Sequence, residues 1–236
     1  MKKKIFSIIT CFMLCFSAMF MMTGCGEEDN KTPISEVEAM STMTAAMEAM
    51  ESETIISMSG GLEGFMQINM IVTESIVYTN TNMEIFGATS ESWTRKEGDD
   101  WIQYDKSTFT YQEEGKEPTT TINYTKQTLT DFEDPKDSVF EESVGEDFGE
   151  FVKAYIQDGE TVIVFDQLDE ETGETAKLTL TIKDGKLRKI QAGSGLVSID
   201  FEIKYGEEIT ETIPELPSPE GGWQPAQEEP GDDPVV

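Results

Sequence analysis

Few residues of this chain are equipped for covalent chemistry. It has no histidine and three cysteines, Cys11, Cys15 and Cys25. Without imidazole neither a Ser-His nor a Cys-His nucleophile can be assembled, and the usual zinc centres lose their ligands. Cys25 is the thiol with a prepared setting. Lys2, Lys3 and Lys4 precede an apolar run from Ile5 to Met22, followed by the small pair Thr23-Gly24, Cys25 itself and the polar Gly26-Glu27-Glu28-Asp29-Asn30. A basic start, an apolar middle and a small-residue cut site have the layout of an export signal over residues 1–24. Cutting there removes Cys11 and Cys15 and leaves Cys25 first.

This layout resembles the bacterial lipoprotein signal, in which the cysteine after the cut receives a diacylglycerol. Met22 stands where that pattern most often has Leu, and is equally apolar and unbranched. The resemblance implies Cys25 as a lipidation site and places the protein on the outer, extracytoplasmic face of the cell membrane. A transmembrane helix competes for an apolar run of this length. Against it, no basic residue follows to hold a stop-transfer end, and three acidic residues do.

Charge narrows the partners. The chain carries 17 Lys and Arg against 47 Asp and Glu, a formal charge of -30. Residues 1–24 hold three lysines and no acid, so the chain after the cut has 14 basic residues against 47 acidic ones and stands at -33. Such a surface repels nucleic acid and anionic headgroups. No nucleic-acid partner and no cofactor is expected, whereas a basic protein partner fits the charge.

Methionine placement is the next most specific feature. All eight methionines beyond the signal fall between Met40 and Met83. Thioether side chains suit a surface that repacks around variable apolar ligands, and they also serve as ordinary core filling. A copper(I) site on Met40, Met43 and Met47 would use soft thioethers alone, with no His or Cys to strengthen it, and no metal is expected. The acidic clusters Asp99-Asp100, Asp131 to Asp137 and Asp169-Glu170-Glu171 lack the spaced Asp/Asn-Gly pattern of a calcium loop and read as solvated turns. A carboxylate pair at glycosidase separation is uninformative among 47 acids. Trp93 and Trp101 sit in strand-like surroundings, and Trp223 lies between Gly221-Gly222 and Pro225.

The elements that would position these residues follow in order. Residues 25–33 read as the lipidated Cys25 with an acidic tether, which at roughly 3.5 Å per residue reaches no more than about 30 Å. Ser35-x-x-Glu38 has capping-box spacing and opens a helix to Met50, with Val37, Met40, Met43, Met47 and Met50 as its apolar stripe. From Thr54 the period becomes two. Strands are expected around Ile56 and Met58, Met66 to Val72, Ile76-Val77-Tyr78, Met83 to Phe86, Ser92-Trp93-Thr94, Trp101 to Tyr104, Phe109 to Tyr111 and Thr119 to Thr125. The stretch from Asp131 to Gly145 reads as acidic and irregular. A second helix is expected over Asp147 to Gln157, with Phe148, Phe151, Val152, Tyr155 and Ile156 on one face and Asp158-Gly159 as its stop. Strands resume at Val162 to Phe165, at Leu178 to Ile182, after a turn on Asp184-Gly185, and from Val197 to Tyr205. Residues 214–236 hold six of the nine prolines, six acids and no base, a composition read as a disordered tail.

The helix running into Ser57-Met58-Ser59, the stretch from Ile182 to Ile190 about Asp184-Gly185, and Phe201-Glu202-Ile203-Lys204-Tyr205-Gly206 through Ile213-Pro214 together resemble the LolA/LppX-like lipoproteins and lipoprotein carriers, in the form found as Gram-positive surface lipoproteins. The resemblance covers residues 34–213. It implies an α+β fold, a curved antiparallel sheet or half-barrel whose concave face is covered by helices, with an apolar cavity between. It brings no catalytic residues, so a non-enzymatic protein binding a hydrophobic or lipid ligand is expected. Met40, Met43, Met47, Met58, Met66, Met70, Phe148, Phe151 and Tyr155 are the candidates for its lining. The other reading is a filled core that serves as an acidic interaction or sensory module. Cys25→Ser should move the protein from the membrane fraction to the soluble extracytoplasmic fraction, and loss of metabolic labelling with a radioactive fatty acid checks the cause.

Overall fold

The computed structural model describes residues 31–226 apart from 113–114, 131, 133–147, 169–174 and 195–196. The signal, Cys25, the tether up to residue 30, the stretch from Asp131 to Gly145 except Phe132, and residues 227–236 lie outside the described residues.

The elements are β1 (Thr32–Ile34), α1 (Glu36–Glu51), β2 (Ile55–Leu62), β3 (Met66–Thr73), β4 (Ile76–Met83), β5 (Ala88–Glu97), β6 (Asp100–Tyr111), β7 (Thr119–Leu129), β8 (Glu150–Gln157), β9 (Glu160–Leu168), β10 (Thr175–Lys183), β11 (Lys186–Ser194), β12 (Val197–Tyr205) and β13 (Gln224–Pro225). Among the described residues they form one curved, unclosed sheet of 13 strands in the order β1-β8-β9-β10-β11-β12-β2-β3-β4-β5-β6-β7-β13. Two runs of hairpins, β8 to β12 and β2 to β7, meet where β12 pairs with β2. That seam requires glycine, because a Cβ at Gly60 would lie 1.8 Å from the Asp200 carbonyl oxygen. Every pairing is antiparallel except that of β13 with β7, which is parallel, so the sheet is mixed rather than wholly antiparallel.

Local chemistry explains α1. Ser35 caps it, its Oγ accepting from the Glu38 N–H at 3.3 Å. Ala39, Met43, Ala46 and Met50 recur at four, three and four residues and are buried on the sheet. Val37, expected on that stripe, is 80% exposed. It stands two residues from Ala39, which on a helix is more than half a turn away.

The second expected helix is a strand. Glu150 to Gln157 form β8, paired with β9 on both sides of a register shift at Val152. Asp158-Gly159, read as a helix stop, has φ of 53° and 82° at its two residues and is a hairpin turn, as is Asp184-Gly185 with 52° and 73°. One helix therefore covers the sheet among the described residues, where two were expected. Met83 ends β4, and Glu84–Phe86 is a 3-10 turn closed by Gly87 rather than a strand. The end of the tether is ordered as well, since Thr32, Pro33 and Ile34 pair with Ile156, Tyr155 and Ala154.

The largest correction concerns the C-terminal segment. Residues 213–226 do not hang free but form a strap over the sheet face opposite α1. Ile71, Tyr78, Trp93 and Tyr104 stand side by side across β3 to β6 and form a second apolar cluster, against which Ile213, Leu216 and Trp223 pack. The Trp93 indole Nε1–H donates to the Pro214 carbonyl at 3.0 Å. Trp223 meets Tyr104 edge-on at 5.0 Å and Tyr124 at 5.4 Å between ring centroids. Proline suits such a strap because it carries no N–H that would need an acceptor on an apolar face. Trp223→Ala should lower stability in urea unfolding by roughly 2–3 kcal/mol, less than a fully buried aromatic because the ring is half-buried.

Candidate functional site

The helix face of the sheet carries the larger of two buried apolar clusters. Ile56 and Met58 of β2, Ile163 and Phe165 of β9, Leu178, Leu180 and Ile182 of β10, Leu187 and Ile190 of β11, and Ile203 and Tyr205 of β12 form one buried cluster with Ala39, Met43, Ala46 and Met50 of α1. Strand alternation places most of them there, and on β11 the register shift that skips Arg188 returns Ile190 to the side of Leu187. Beneath α1 the packing is closed: Ala39, Met50, Ile56, Ile163 and Leu180 are 0% exposed.

The margin of this cluster is different. Met40, Met47, Met70, Phe148, Phe151 and Phe201 pack against it and remain half-buried. The structure therefore brings Met40, Met43, Met47, Met58, Met70, Phe148 and Phe151 to a single apolar mass. Met66 is half-buried near the β2–β3 turn, opposite Leu62, and does not join it. Tyr155 lies on the other face, with Lys31 Nζ 4.8 Å from its ring centroid. On a helix Phe151 and Tyr155 would share a face. On β8 the register shift between Phe151 and Lys153 returns Ala154, not Tyr155, to the side of Phe151.

Sequence reasoning placed Met50 on the stripe but not in the site, and passed over Ala39, Ala46, Phe165 and Phe201. The two alanines share the spacing of Met43 and Met50, and their small size lets the helix approach the sheet. The apolar row on the strap face left no signal, because its members come from four strands.

Polar contacts pin α1 at both ends. Before it, β1 pairs with β8. After it, Glu53 forms an ion pair with Lys186. Beside that pair the Tyr205 hydroxyl donates to the Leu187 carbonyl at 2.6 Å, and Arg188 lies over the Tyr205 ring while binding Glu208 through both guanidinium arms. Burial pushes the Tyr205 phenol above its ordinary range, against the pull of Arg188. The Arg188 side chain holds the Glu208 carboxyl below the usual carboxylate range. On the strap face the Tyr78 hydroxyl donates to Glu91 at 3.1 Å, and Glu91 also binds Lys106. Burial, then the Glu91 charge, raises the Tyr78 phenol to about 12.

Both tyrosines are raised above their unfolded value of roughly 10. Their contribution to stability is complete below that pH and is lost as pH rises through the folded value, which for Tyr78 is about 12. In an alkaline titration followed by phenolate absorbance, Tyr78→Phe should remove one late-ionising group and leave the early ones in place.

No protein-family model matches this chain, and no curated protein sequence does. Among solved structures it is similar to the crystal structure of LprF from Mycobacterium bovis, at 13% identity and a TM-score of 0.41, over 78% of this chain and 98% of that one.

Proposed function

We propose that this chain is a membrane-anchored extracytoplasmic lipoprotein, held by lipid on Cys25, that binds a hydrophobic or lipid ligand without enzymatic turnover between α1 and the sheet. The supporting observation is the half-buried margin of Met40, Met47, Met70, Phe148, Phe151 and Phe201 beside a helix fastened at its two ends. Between those ends α1 meets the sheet through Ala39, Met43, Ala46 and Met50. Thioethers can change rotamer at little cost, so the margin can widen around an acyl chain while the polar contacts stay intact. The driving term is transfer of apolar area from water, roughly 25 cal/mol per Å² before the costs of association.

A second reading rests on the closed packing beneath the helix, where Ala39, Met50, Ile56, Ile163 and Leu180 have no exposure. It makes the domain a filled, acidic interaction or sensory module recognised by a basic protein. Native mass spectrometry of gently purified protein separates the two. The first reading expects a stoichiometric lipid that is lost from the Met47→Lys, Met70→Lys double variant while circular dichroism stays native. A mass that remains clean after incubation with membrane lipids would reject it in favour of the second.

A further inference from the structure

The outer edge of β7 is covered for only part of its length. β6 pairs with β7 from Thr119 to Leu129, whereas on the other side β13 pairs only with Thr125 and Lys126, among the described residues. The Ala226 N–H donates to the Lys126 carbonyl at 3.0 Å, so the backbone groups of Lys126 face outward. The β6–β7 register runs without a shift, and groups two residues apart on a strand face the same way. Those of Tyr124, Ile122 and Thr120 therefore point outward too. Thr119, Thr120, Thr121, Ile122 and Asn123 are all exposed, with Ile122 at 47%.

This stretch has no edge protection. Natural edges are guarded by charges, proline or bulges, yet Thr119 to Asn123 carries no charge in a chain that is 27% charged. Nor is it wide open. The strap turns away at Pro219 to Gly222, where the Gly222 N–H donates to the Pro219 carbonyl at 2.9 Å, and leaves a groove of about 970 Å³ between β7 and Ser218, Gly221 and Gly222. β13 shows that this edge accepts an added strand beside that groove.

We propose that the edge of β7 from Thr119 to Asn123 is a strand-addition site for an extended, positively charged segment of a partner protein. The outward N–H and C=O groups of Thr120 and Ile122 would supply the ladder, and the Ile122 side chain an apolar anchor. The charge preference follows from Glu220 across the groove, the one charged residue lining it, and from a net charge of -30, which also repels a second copy of this chain.

The test uses the full chain in detergent and a short synthetic peptide alternating valine and lysine, with a valine–glutamate peptide and a backbone N-methylated version as comparisons. Binding is followed by fluorescence anisotropy and by hydrogen exchange. The lysine peptide should bind and protect amides within 119–123. The glutamate and N-methylated peptides should bind at least about tenfold more weakly. Ile122→Pro removes an outward N–H without touching the β6 ladder and should weaken binding about as much, whereas Ile122→Val should retain it. The proposal falls if no peptide binds at millimolar concentration, or if N-methylation or Ile122→Pro leaves binding unchanged. Equal binding of the two charged peptides would overturn the charge assignment. A concentration-dependent dimer abolished by Ile122→Pro would place a second copy on the edge instead.

Discussion

An unclosed sheet exposes two faces, and a chain that builds one must cover both. Here that requirement governs the architecture. Hairpins from β2 to β7 and from β8 to β12 join at a seam where Gly60 alone permits close approach. The resulting surface is too broad for the single helix described. α1 lies against β8 and β11 on one face, and the apolar row of Ile71, Tyr78, Trp93 and Tyr104 on the other would stand in water without the strap.

The two covers differ in chemistry because they solve different problems. The helix satisfies its own backbone and needs only a stripe of small and apolar residues, with Ala39 and Ala46 setting its distance from the strands. The strap has no internal ladder. Its prolines reduce the donors that need partners, the Pro214 carbonyl receives the Trp93 indole, and the segment ends by joining the sheet at β13. Aromatic side chains with polar tips fit this face, since Tyr78 and Tyr104 reach Glu91 and Glu97 from an otherwise apolar row.

Charge and apolar surface are kept apart. Among the described residues, ion pairs such as Lys183–Glu160 and Lys204–Glu211 bridge neighbouring segments at the surface. Such pairs add little stability individually. Met40, Met47 and Met70 sit at the margin of the apolar core, whereas Met43, Met50 and Met58 are buried within it.

Much of this was legible in local sequence. Period-two alternation located most strands from Ile56 to Tyr104, though Glu84–Phe86 is a 3-10 turn, and those from Leu178 to Tyr205, Asp184-Gly185 announced its hairpin, and Ser35 with Glu38 marked the start of α1. Periodicity failed at residues 150–157, where Phe151 and Tyr155 match one face of a helix, whereas the bulged strand puts Phe151 and Ala154 on one face. Pairing with β9 decides between them, and no window of sequence contains that partner. The strap was illegible for the same reason. Proline and acid content describe what a segment cannot do alone, and its order comes from an apolar row assembled from four strands. The sequence by itself thus determined the excluded chemistry, the acidic charge, the helix and most strands, because these depend on neighbours along the chain. Tertiary structure alone decided which residues share a face, that Tyr155 turns away from Phe151, and that residues 213–226 form a cover, because each depends on contacts between distant segments.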